Sequence, residues 1–89
     1  MIKEIILLKS SEGEEELENY LKKYASNHGV KYLPFDGTKV QIRGVYLTRL
    51  PAVLITRRFQ DTYIIQNATI NEVYKSLSKI SEEKTEKSP

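Results

Sequence analysis

Leu50-Pro51-Ala52-Val53-Leu54-Ile55 is an apolar run, rich in branched side chains, that opens on proline. A strand tolerates proline at its first residue, where the missing N–H removes no interior ladder bond. The run therefore reads as a strand. Arg57-Arg58-Phe59-Gln60-Asp61 follows as a turn and Thr62-Tyr63-Ile64-Ile65 as a further strand. Strands so closely spaced predict an antiparallel hairpin. Beyond it, Thr69 or Asn67 caps a final helix whose one face collects Ile70, Val73, Tyr74, Leu77 and Ile80.

Working back toward the N-terminus, residues 3–9 contain Ile5-Ile6-Leu7-Leu8, a continuous apolar run suited to a central strand covered on both faces. Leu17, Tyr20, Leu21, Tyr24 and Ala25 then recur at helical spacing. Ser11 and Glu14 have the S-x-x-E spacing of a capping box, and Gly29 is free to take the left-handed conformation that stops a helix. Val30-Lys31-Tyr32-Leu33-Pro34-Phe35 reads as a second strand ended by the turn pair Asp36-Gly37. Strand, helix and strand within about 30 residues predict a βαβ unit with parallel strands. Residues 38–49 fit neither period, and helix, strand and loop stay open for them.

The chain has 89 residues, enough for one hydrophobic core. Residues 1–80 form the expected domain, and the polar stretch 81–89 reads as a flexible tail. With no cysteine and a single histidine, His28, neither a disulfide framework nor a four-ligand zinc site can be assembled. No apolar run reaches the roughly 18–20 residues that span a bilayer, and the N-terminal run lacks the small-residue cleavage site of a signal peptide. The expected setting is the cytoplasm, without membrane contact. Ten Glu, ten Lys and nine Ile lean toward the composition of hyperthermophile proteins.

The order β-α-β-(38–49)-β-β-α, with Leu50-Pro51 opening the third strand, resembles the thioredoxin and glutaredoxin fold. That resemblance implies an α/β, three-layer architecture: β-α-β then β-β-α around a four-stranded mixed sheet, with a cis-proline at Pro51. It also places the family's C-x-x-C positions at Ser11 and Glu14, or one residue on at Glu12 and Glu15, where no thiol remains. The glycine pair that commonly follows the glutaredoxin hairpin is replaced by Asn67-Ala68. A helix N-terminus lowers a thiol's pKa to produce a nucleophile, whereas a serine there needs a neighbouring base. His28 lies about 25 Å away at the helix's other end, so Ser11 reads as a cap. The resemblance thus implies a redox-inactive protein. No nucleophile–base pair, phosphate loop or metal set can be assembled from the residues, so neither an enzyme nor a cofactor carrier is expected.

Two binding surfaces follow. In the fold the chain resembles, the loop before the first helix and the loop before the cis-proline lie side by side and bind an extended peptide. That groove would comprise Ser11, Glu12, Gly13 and Glu14 with Arg49, Leu50 and Pro51, for another protein or a second copy. Alternatively, Lys39, Arg43, Arg49, Arg57 and Arg58 form a basic segment without an acid from Gly37 to Gln60, while the rest of the chain is net −3. Interspersed with Tyr46, Phe59 and Tyr63, these cations suit phosphate contacts and base stacking in a nucleic acid. The glutamates of the first helix read as complements to its dipole, not as metal ligands, and Tyr20, Tyr24, Tyr32 and Tyr74 as core-facing packing.

Overall fold

The computed structural model describes residues 2–10, 13–37 and 49–86, with side chains through Ile80. Six elements follow in chain order: β1 (Ile2–Lys9), α1 (Glu15–His28), β2 (Lys31–Asp36), β3 (Ala52–Arg57), β4 (Gln60–Ile65) and α2 (Ile70–Glu86). They make an α/β domain around one four-stranded mixed sheet of order β2-β1-β3-β4. β1 and β2 run parallel, with Ile5 opposite Tyr32, as a βαβ crossover requires. β1 and β3 are antiparallel, Ile5 facing Ile55, and β3 and β4 close the antiparallel hairpin.

The two interior strands are the two continuous apolar runs of the sequence. Side chains alternate across a strand, so such a run supplies both faces. On one face Ile5 and Leu7 of β1 meet Val53 and Ile55 of β3, Leu17 and Leu21 of α1, and Val73, Leu77 and Ile80 of α2. On the other, Leu8, Ala52 and Leu54 form a second buried cluster joined by Ile6 and Leu50. Both helices thus lie on the first face. Residues 38–48, on which any third layer depends, lie outside the described residues. Proline stands inside β2 at Pro34, which an edge strand permits.

The helix ends follow local chemistry. Gly29 takes φ 64, and the N–H of Val30 donates to the Ala25 carbonyl at 2.9 Å. This is the six-residue closure that a left-handed glycine allows. At the start of α2, Thr69 is the cap: the Glu72 N–H donates to its Oγ1 at 3.2 Å. Asn67 instead takes a left-handed turn conformation, φ 51, which asparagine accepts more readily than most residues. The backbone of α2 continues to Glu86, into the stretch read from sequence as a tail. No described helix is long and apolar enough to cross a membrane.

Candidate functional site

The Ser11–Glu14 capping box is not what starts α1. The helix begins at Glu15, with Glu14 at the cap position and making no side-chain cap bond. Its carboxylate turns back instead, accepting the Ser10 N–H at 2.6 Å and the Ser10 hydroxyl. A glutamate has the reach to close this loop on the residue four before it. Ser11 and Glu12 lie outside the described residues.

The strand register brings Pro51 to the same end of the sheet. Leu50-Pro51 is a cis peptide bond. The Pro51 carbonyl accepts the Ala68 N–H at 2.8 Å, and the Arg49 carbonyl accepts the Asn67 N–H at 3.2 Å. These two bonds hold the loop before β3 against the loop before α2. Between that clamp and the start of α1 lies an open cleft of about 440 Å³. Leu17, Pro51, Ala68 and Ile70 supply its apolar surface; Glu14, Glu15 and Glu16 supply its acidic side. With Glu14 bonded to Ser10, the exposed carboxylates are those of Glu15 and Glu16.

Of the groove residues read from sequence, Gly13, Glu14 and Pro51 meet in this cleft. Leu50 turns to the opposite face, beside Leu8, Ala52 and Leu54. There it lies so near Gly37 that a Cβ on that glycine would stand 2.7 Å from Leu50 Cδ2. Arg49 is exposed and does not line the cleft. Leu17 and Ile70, which complete the cleft with Ala68, read from sequence as core positions, and Ala68 only as part of the pair that replaces the glutaredoxin glycines.

The basic segment is divided. Lys39 and Arg43 lie outside the described residues. Arg49 stands before one end of β3 and Arg57 and Arg58 at the other, set apart by the length of a six-residue strand, about 20 Å at roughly 3.3 Å per residue. Arg57 donates to the Asp61 carbonyl from Nε at 3.2 Å and from Nη2 at 2.9 Å. Asp61 falls where the β3–β4 register shifts, so this guanidinium satisfies a carbonyl at the bulge. It also stands 5.9 Å from the Tyr63 ring centre. Arg58 and Phe59 form the hairpin loop, the Arg58 guanidinium 5.7 Å from the Phe59 ring centre. Phe59 itself has φ 63 and is 96% exposed.

Glu18 pairs with Lys9 at 3.7 Å and accepts the Tyr32 hydroxyl at 3.4 Å. Burial, and then the neighbouring Glu18 charge, raise the Tyr32 pKa well above its ordinary value. Tyr20 is raised too, by burial and then by Tyr24 and Tyr74. Tyr74 does not face the core as its spacing suggested: it is 59% exposed. One residue past Val73 is about 100° around the helix, which takes it off the buried stripe. Tyr20, Tyr24, His28, Tyr74, Leu77 and Ser78 line a second, smaller depression of about 180 Å³, where the His28 ring stacks on Tyr24 at 4.1 Å.

Among the described residues no charged or polar residue is buried, and no group of three or more His, Asp or Glu is arranged to hold a metal. Compared with known proteins, the chain matches no family model, no curated protein and no solved structure.

Proposed function

We propose that this chain is a redox-inactive, thioredoxin-like protein-interaction module of the cytoplasm. Its cleft takes an extended segment of a protein partner. The observation that carries the reading is the meeting of Gly13 and Glu14 with Pro51 in one cleft, although nearly forty residues separate them in sequence. The resemblance implies this pairing of loops, and the four-stranded mixed sheet supports it. The role is binding, without catalysis or a cofactor.

The lining defines the partner's chemistry. Apolar surface from Pro51, Ala68, Ile70 and Leu17 favours an apolar side chain. The carboxylates of Glu15 and Glu16 favour an adjacent lysine or arginine, and disfavour an acidic segment. Binding of nucleic acid or phosphate through residues 39–58 is the alternative. It draws less support, because Arg57 is engaged with Asp61 and Arg49 lies at the opposite end of β3.

Selection from a displayed library of random peptides on the immobilised protein tests the reading. Recovered peptides should pair a basic residue with an apolar one and lose binding to the Glu15→Lys, Glu16→Lys double variant. Peptides that bind this variant equally well would refute it.

A further inference from the structure

The residue least explained by folding is Phe59. A large aromatic side chain is 96% exposed at the tip of a two-residue hairpin loop. It also occupies φ 63, a conformation that glycine or asparagine adopts at far lower cost. Folding alone favours neither the residue nor its position. Beside it stand Arg58, with its guanidinium near the ring, and Arg57. Lys3 and Lys31 belong to the same end of the sheet, since Ile2 pairs with Arg57 and Glu4 with Lys31. This end therefore offers an apolar ring in a setting richer in bases than in acids.

The opposite end offers the complement. The cleft there has apolar surface from Leu17, Pro51, Ala68 and Ile70, with Glu15 and Glu16 exposed beside it. Tip and cleft lie at the two ends of β3, about 20 Å apart, so one cannot fill the other within a chain. We propose that a second copy of this chain fills it: the Phe59 ring of one molecule seats in the cleft of the next, with Arg58 against Glu15 and Glu16. This rests on the cleft being a binding site and names its occupant. Because the two surfaces differ, the contact is heterologous and repeats head to tail, closing into a ring or extending as a chain. One hairpin tip buries well under the 1,200 Å² or so of the smallest stable interfaces. The association is accordingly weak and reversible.

Sedimentation of the full chain at concentrations up to about 1 mM, a level matched to weak association, reads this directly. Weight-average mass should climb above the 10.3 kDa monomer as concentration rises, and the climb should shrink with added salt. Phe59→Gly should abolish it. Glycine suits φ 63, so an unchanged or raised unfolding midpoint separates lost association from lost folding. Glu15→Lys with Glu16→Lys should also be monomeric. An equimolar mixture of the two variants should form a one-to-one dimer, because one keeps its tip and the other its cleft. A wild-type chain that stays monomeric throughout overturns the proposal, as does self-association undiminished in Phe59→Gly or a mixture that does not pair. If the chain stays monomeric but the cleft still selects basic–apolar peptides, the self-association fails and the cleft reading stands. If neither is seen, both fail.

Discussion

The backbone N–H of Ala68 donates to the carbonyl of Pro51 at 2.8 Å, fastening the start of α2 to the entrance of β3. Ala68 is also buried among the side chains of the main core. One short segment thus fixes one wall of the cleft and continues directly into the helix cap at Thr69. Disturbing that cap loosens the site as well as the helix.

Thr69→Ala removes the hydroxyl that accepts the Glu72 N–H. Loss of an N-cap of this kind costs about 1 kcal/mol. The urea midpoint should fall accordingly, with an unchanged denaturant slope. Hydrogen exchange should quicken in the first turn of α2 more than in β1.

Gly37→Ala tests how the second face is packed. The added Cβ would meet Leu50 Cδ2 at 2.7 Å, Leu8 Cβ at 3.0 Å and the Lys9 carbonyl at 3.0 Å. Leu50 can swing aside, but strand backbone cannot yield as cheaply. Overpacking of this kind costs about 1–3 kcal/mol. Pairing it with Leu50→Ala should recover part of the loss in a double-mutant cycle.

Tyr32 sets an alkaline limit. Burial, then Glu18, raise its pKa above 10.0, the ordinary value that it keeps in the unfolded chain. Below pH 10.0 both states hold the proton and the contribution is fully present. As pH climbs past that point, the unfolded chain releases the proton first and stability falls toward the folded pKa. Tyr32→Phe should flatten this alkaline loss in urea midpoints. It should also delete the latest step of the tyrosinate absorbance titration.

Phe59→Gly should raise stability even though it removes a large apolar residue. The ring is almost wholly exposed, so little burial is lost. Left-handed backbone costs a non-glycine residue about 1–2 kcal/mol, partly offset by glycine's greater unfolded freedom. A net gain of about 0.5–1 kcal/mol in thermal or urea unfolding is expected. A loss of stability would show that Phe59 packs where the structure exposes it.

Much of the fold was legible because it rests on short-range rules. The runs Ile5–Leu8 and Ala52–Ile55 are apolar on both sides of the pleat, which only an interior strand can use. Gly29 and Thr69 announce helix ends by chemistry that acts within one turn. Less was legible where long-range packing decides. Ser11-x-x-Glu14 matches a capping box, yet Glu14 has Ser10 within reach and the helix starts later. Leu50 adjoins Pro51 in sequence but faces the other side of the sheet, since neighbours alternate. Arg49, Arg57 and Arg58 fall within ten residues of the chain, but the length of β3, about 20 Å, sets Arg49 apart from the other two. Nothing in Arg58-Phe59 marks a two-residue turn, because glycine and asparagine, its usual signs, are absent.

Amide shift maps of the labelled protein test the central claim most directly. Two probes serve: a short peptide carrying arginine beside phenylalanine in an alanine background, and a mixed-sequence oligonucleotide at low and then high salt. The account predicts peptide-induced shifts at Gly13, Leu17, Ala68 and Ile70, and little response to the oligonucleotide. Silence at those residues, with oligonucleotide shifts at Arg49, Arg57 and Arg58 that collapse in high salt, would contradict it and make the basic segment the functional surface.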